Sequence, residues 1–102
     1  MAAMIYKETL ADKRTVRVTF ELPSSIWAER VNLVGDFNGW DTAAHEMRQG
    51  RSDGNWRITL DLPAGKEYQF RYLVNGRDWH NDWHADKYMA NRFGTDNSVV
   101  CT

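Results

Sequence analysis

The chain has 102 residues, with 13 basic and 14 acidic side chains and a net charge of −1. That length suits a single domain with a modest apolar core, and the balanced charge gives no electrostatic basis for a nucleic-acid or anionic-membrane partner. A lone cysteine, Cys101, excludes an intrachain disulfide framework and fits a reducing compartment.

The opening stretch MAAMIYKETLADKR lacks the apolar run of a signal peptide, and no segment is long and apolar enough to be a membrane-spanning helix. A cytoplasmic protein is therefore expected, either complete over residues 1–102 or an excised domain with an added Met. Residues 5–10 read as a short first strand. In residues 15–22, Val16, Val18, Phe20 and Leu22 alternate with polar residues, the pattern of a half-buried strand stopped by Pro23-Ser24-Ser25. Trp27 falls in the connection that follows, where capping the core edge is one of two even readings. Residues 30–34 form the next strand, ending at Gly35, and residues 46–49 another short one.

Trp56, Ile58, Leu60 and Leu62 alternate with Arg57, Thr59 and Asp61, between the turn signals Asp53-Gly54 and Pro63-Ala64-Gly65. Trp56 is thereby predicted in the core. Tyr68, Phe70, Tyr72 and Val74 alternate in a further strand closed by Asn75-Gly76, a strong hairpin signal. Residues 80–92 show no clear alternation and read as a loop with one helical turn at 85–89. Residues 98–100 read as the last strand. Seven to eight short strands and no long helix predict an all-β, immunoglobulin-like sandwich, although the Cys…Trp…Cys signature of true immunoglobulin domains is absent.

The aromatic content is high: five Trp, four Tyr and four Phe. Buried indoles need a partner for each N–H, so a core this small does not hold five of them comfortably. Trp40, Trp79 and Trp83 each lie just outside a strand, in turns rich in Gly, Asn and Asp. Loops on a rigid scaffold carry function. Arg71, opposite Tyr72 in phase, points out of the sheet. An exposed aromatic plane beside amides, hydroxyls and a guanidinium suits a sugar. The C–H faces of a pyranose pack on an indole and its hydroxyls pair with the polar groups.

Three blocks occur in order: VNLVGDFNGWD, then W…L.LPAG..Y.FRYLVNG..W, then N.FGTDNSVV. Together, over about residues 15–100, they resemble the family-48 carbohydrate-binding modules. That family is related to the early-set domain at the N-terminus of isoamylases and glycogen branching enzymes, and to the glycogen-binding domain of the AMP-activated kinase β subunit. The resemblance implies an early-set β-sandwich that binds α-glucan, with no cofactor, no metal and no catalytic residue. It implies that Trp40 and Trp79 stack on glucose, that Arg71, Thr95 and Asn97 hydrogen-bond it, and that Phe93 wedges against it. The chain differs from the family pattern in having Asp82-Trp83 where Asp-Pro is frequent, and two residues, Arg77-Asp78, between Gly76 and Trp79.

Bland readings stand beside these. Trp40 with Phe37 would fold over the sandwich end, Phe37 more as core; Arg71 would pair across strands with a carboxylate; Asn97 would cap a turn. His80, Asp82, His84 and Asp86 alternate in a way that metal ligands sometimes do, but a solvated loop with local hydrogen bonds is the expectation. Glycoside hydrolysis requires two carboxylates about 5–9.5 Å apart, and neither that pair nor a nucleophile or phosphate-loop motif stands out. The predicted partner is an α-glucan polysaccharide or oligosaccharide such as glycogen. The alternative is an interaction or regulatory domain of glycogen metabolism that has lost sugar binding and docks on a glycogen-metabolising enzyme.

Overall fold

The computed structural model describes residues 4–82, 84–92 and 94–102. Nine strands follow one another: β1 (Met4–Thr9), β2 (Thr15–Leu22), β3 (Val31–Gly35), β4 (Arg48–Gln49), β5 (Trp56–Pro63), β6 (Glu67–Val74), β7 (Asp78–His80), β8 (Lys87–Ala90) and β9 (Asp96–Cys101). They form two antiparallel sheets. One has the order β1-β2-β5-β4; the other has β3-β6-β9-β8, with β7 pairing along β6. This is the immunoglobulin-like β-sandwich that the alternation predicts.

Alternation becomes a core because the period of two puts every second side chain between the sheets. From β2 come Val16, Val18, Phe20 and Leu22, and from β6 Phe70, Tyr72 and Val74, all buried in one cluster with Val31, Leu33, Met47, Leu62 and Val100. Phe20 meets Phe70 edge-on across the gap, with centroids 5.1 Å apart. Trp56 is buried as expected, but its indole N–H has no hydrogen-bond partner among the described residues.

Residues 45–49 pass from one sheet to the other. The backbone of Leu33 donates to His45 and that of Met47 donates to Val31, each at 2.8 Å, before Arg48 and Gln49 pair with β5. Cross-strand ion pairs lie on both sheets: Arg17 with Asp61 at 2.9 Å and Arg57 with Glu21 at 2.5 Å on the four-stranded one, and Lys87 with Glu67 at 2.6 Å on the other.

Residues 80–92 depart from the expected loop with a helical turn. β7 ends at His80 and Lys87–Ala90 is an edge strand, Tyr88 opposite Ser98 and Met89 opposite Asn97. The edge strand is exposed along its whole length, so its sequence carries no alternation of burial. Pairing with β9, from Ala90–Asp96 out to Lys87–Val99, defines it instead.

Candidate functional site

The turn after β3 starts from a close approach. Gly35 lies opposite Phe70, and a Cβ there would come within 2.4 Å of the Gln69 carbonyl oxygen. Only glycine permits β3 to run this close to β6. Residues Asp36–Asn38 then make a single 3-10 turn. Asn38 holds it together: its Oδ1 accepts from the Gly35 backbone at 3.1 Å, and its Nδ2 donates to the Leu33 carbonyl at 2.9 Å. Phe37 drops toward the core, its centroid 5.9 Å from Phe20 and 6.4 Å from Phe70, as expected of it.

Gly39 and Trp40 both adopt left-handed backbone, with φ of +66° and +61°. For tryptophan this is a strained conformation. The Trp40 backbone N–H is tied to the Gly35 carbonyl at 2.9 Å, and its Nε1 donates to Asp36 Oδ1 at 2.9 Å. The other oxygen of Asp36 accepts from the Gln69 backbone at 2.7 Å. A single carboxylate thus fixes the indole against the central strand.

On β6, Gln69 and Arg71 share the outer face of the five-stranded sheet with Trp79, which stands opposite Leu73. From β9, Asn97 projects onto the same face. Its Nδ2 donates to Gln69 Oε1 at 3.1 Å and its Oδ1 accepts from Asn91 Nδ2 at 3.1 Å. Asn91 closes the β8–β9 connection: its backbone N–H donates to the Thr95 carbonyl and its Nδ2 donates to Thr95 Oγ1, each at 2.8 Å.

These pieces enclose one shallow depression of about 720 Å³, lined by Trp40, Arg71, Trp79, Thr95 and Asn97 together with Asp36, Gln69, Asn91 and Arg92. Five of the six residues singled out in the sequence therefore converge on one surface, although three separate stretches of chain carry them. The sixth, Phe93, and also Trp83, lie outside the described residues. Among the described residues Arg71 makes no cross-strand ion pair, and its buried Nε has no hydrogen-bond partner. Asn97 is largely buried, and both ends of its amide are engaged, so it orients Gln69 from below. Asp36, Gln69 and Asn91 add to the set that the sequence suggested. Gln69 is legible in retrospect, being two residues before Arg71 on the same strand face.

Asp82, expected in a solvated loop, is completely buried. Its Oδ2 accepts from the Tyr72 hydroxyl at 2.7 Å and its Oδ1 from the His84 backbone at 2.7 Å. Its own backbone N–H donates to Ser98 Oγ at 2.8 Å, and its carbonyl accepts from the Tyr88 hydroxyl at 2.5 Å. Burial, and then the adjoining carboxylate, push the Tyr72 hydroxyl well above its ordinary pKa. Asp86 turns away and pairs with Lys7 of β1 at 2.5 Å. No group of three metal-ligating side chains assembles among the described residues. No described helix is long and apolar enough to cross a membrane.

The sequence is similar to known proteins over much of its length. Residues 11–89 match the family model for carbohydrate-binding module 48, the isoamylase N-terminal domain. The 1,4-alpha-glucan branching enzyme of Shewanella sp. strain MR-4 is 41% identical over 59 residues, which are 54% of this chain and 8% of that enzyme. The branching enzyme of Bordetella pertussis strain Tohama I is 42% identical over 66 residues, 61% of this chain and 9% of the enzyme. That of Butyrivibrio fibrisolvens is 37% identical over 70 residues, 63% of the chain and 10% of the enzyme. The similarity is therefore to one small part of much larger proteins. With the sandwich, the three sequence blocks and a family match over more than half its length, the chain belongs to the family-48 carbohydrate-binding modules.

Proposed function

We propose that this domain is a non-catalytic module that binds α-glucan on the outer face of its five-stranded sheet. Trp40 and Trp79 would stack on glucosyl rings, Arg71 and Thr95 would hydrogen-bond hydroxyls, and Asn97 would act both directly and through Gln69. Phe93 joins the set on family resemblance alone. The observation that carries this reading is the convergence of Trp40, Trp79 and Arg71 on one open depression. Two aromatic planes and a guanidinium offer what sugar C–H faces and hydroxyls require. The branching enzymes with related segments are named for 1,4-alpha-glucan, which supports that class of polymer. Cleaving a glycosidic bond ordinarily uses two carboxylates. The one carboxylate among the described lining residues, Asp36, is committed to Trp40 and Gln69. That favours binding over chemistry.

A shallow site should bind a short oligosaccharide with a Kd of roughly 0.1–1 mM, about −5.5 to −4 kcal/mol. Titration with maltoheptaose, followed by tryptophan fluorescence and amide NMR shifts, tests this. Saturable shifts at Trp40, Gln69, Arg71, Trp79 and Asn97, abolished in Trp40→Ala, are expected. Absence of shifts at ~10 mM ligand, where a 1 mM site would be about 90% occupied, would overturn the proposal. Docking on a protein partner would then be the reading left.

A further inference from the structure

β7 has three residues, and their alternation divides them between two surfaces. Trp79 stands opposite Leu73 and faces the depression described above, whereas Asp78 and His80 stand opposite Val74 and Tyr72 and face the other way. There they border a second, smaller hollow of about 280 Å³ whose floor includes Leu22, Ile26 and Val74 and whose lip is Trp27. Trp27 is 95% exposed, so it does not cap the core edge. An indole held almost entirely in water gains nothing from packing.

The loop presenting Trp27 is held at both ends. The Ser24 backbone donates to Asn55 Oδ1 at 2.9 Å, and the Glu29 backbone donates to Asn75 Oδ1 at 2.7 Å. Asn75 belongs to the β6–β7 turn, the same hairpin that positions Trp79. Its φ is +55° and that of Gly76 is +69°, the left-handed pair suited to a tight hairpin turn. One turn therefore sets the placement of both tryptophans. The side chains of Asp78 and His80 make no hydrogen bond or ion pair among the described residues, which leaves a carboxylate and an imidazole available beside an apolar floor.

We infer that this hollow is a second α-glucan subsite, occupied by a chain that passes over β7 from the first. Trp27 is the stacking plane and Asp78 and His80 bind hydroxyls. The inference rests on the α-glucan reading of the first site. It commits to a glucan because β7 borders both hollows, Trp79 lining the first and Asp78 and His80 the second. Its free groups are also of the same kind: an aromatic plane, an acceptor pair and a ring nitrogen that can donate or accept. Its volume of about 280 Å³ falls just below the usual range of small-ligand pockets, roughly 300–1,000 Å³.

The test is NMR titration of the wild-type domain with maltotriose and with a long linear maltodextrin, alongside Trp27→Ala and the double variant D78N/H80A. The long chain should shift the Trp27 indole N–H and the amides of Asp78 and His80 together with the Trp40 set. Trp27→Ala should weaken long-chain affinity about five- to tenfold and leave maltotriose affinity unchanged. D78N/H80A should repeat that pattern more weakly. Shifts at the Trp40 set alone, with long-chain affinity unchanged in Trp27→Ala, would overturn the second subsite and leave the first standing. Shifts at neither set would overturn both. The wild-type titration reports on Trp27 directly and does not depend on the folding of a variant.

Discussion

Trp40 and Asp36 form a locked pair: the indole Nε1 donates to Asp36 Oδ1 at 2.9 Å, while Asp36 Oδ2 holds the Gln69 backbone at 2.7 Å. The carboxylate is the bracket that fixes the angle of the ring against the sheet. Pre-ordering a stacking surface lowers the entropy lost on binding. Asp36→Ala should release the ring and leave the Gln69 N–H without its acceptor. The expected result is a loss of about 1–2 kcal/mol in stability and a several-fold weaker maltoheptaose affinity, with the Trp40 indole proton exchanging faster with solvent. An Asp36→Ala domain that binds like the wild type would show that ring orientation is unimportant.

Trp40 also carries backbone strain, with φ of +61°. A left-handed backbone costs a residue with a Cβ roughly 1–2 kcal/mol; glycine escapes that cost but has a more flexible unfolded chain. Strain of this kind is retained where position matters more than stability. Trp40→Gly should therefore lose glucan binding yet be at least as stable as Trp40→Ala, by up to about 1 kcal/mol. Urea denaturation of the two variants side by side measures this. A Trp40→Gly domain clearly less stable than Trp40→Ala would remove strain from the account.

Arg71 makes a similar trade in a different way. Its Nε is buried with no partner among the described residues, and an unsatisfied buried donor costs about 1–3 kcal/mol. Arg71→Met keeps much of the stem's length and packing while deleting the orphan donor. It should melt at or above the wild-type temperature, by the equivalent of up to about 1 kcal/mol, and it should bind maltoheptaose at least tenfold more weakly. A domain that loses stability in proportion to its binding would indicate that Arg71 serves the sheet and not a ligand.

Gly35 is where fold and site meet. A Cβ at this position would lie 2.4 Å from the Gln69 carbonyl and 2.7 Å from Phe70 Cβ. The clash is with backbone and the root of a core side chain, neither of which can swing aside. Gly35→Ala should cost about 3 kcal/mol or more, at the upper end of overpacking effects. It should also displace the Gln69 segment that Asp36 grips, so that surviving folded protein binds glucan poorly. Thermal melts and the same titration would show both effects. Wild-type stability in Gly35→Ala would contradict the close approach of β3 and β6.

The strands with clean alternation, β2, β5 and β6, were readable because each has one face in the core, and burial writes a period of two into the sequence. Trp40, Arg71 and Trp79 could be picked out by the complementary rule that large aromatics in turns and cations on an outer face are not needed for packing. β8 could not be read this way. All four of its residues are exposed, so only its pairing with β9 defines it. Asp82 was illegible for a different reason. A carboxylate is buried only when partners satisfy it, and here one of them, the Tyr72 hydroxyl on β6, lies ten residues away in sequence. The Asp82-Trp83 departure from the family pattern thus falls beside a buried anchor. Trp27 was ambiguous because no periodicity governs the connection that carries it.

The Tyr72–Asp82 pair sets an alkaline limit on the fold. Burial and the nearby carboxylate raise the Tyr72 pKa well above its ordinary value of 10.0. In the unfolded chain this hydroxyl ionises near pH 10, as free tyrosine does. Between that pH and the higher native pKa, the native state keeps a proton that the unfolded state has lost. Stability from this group is therefore fully present below about pH 10 and declines as pH rises beyond it, by up to about 1.4 kcal/mol per pH unit. Tyr72→Phe removes the titration but leaves Asp82 Oδ2 without its donor. It should be less stable than wild type at pH 7 by about 1–3 kcal/mol and show a shallower decline between pH 10 and 11. Urea midpoints measured from pH 7 to 11 for both proteins test this. Parallel curves above pH 10 would mean that Tyr72 ionises in the native sandwich as readily as in the unfolded chain, and that its bond to Asp82 does not hold the proton.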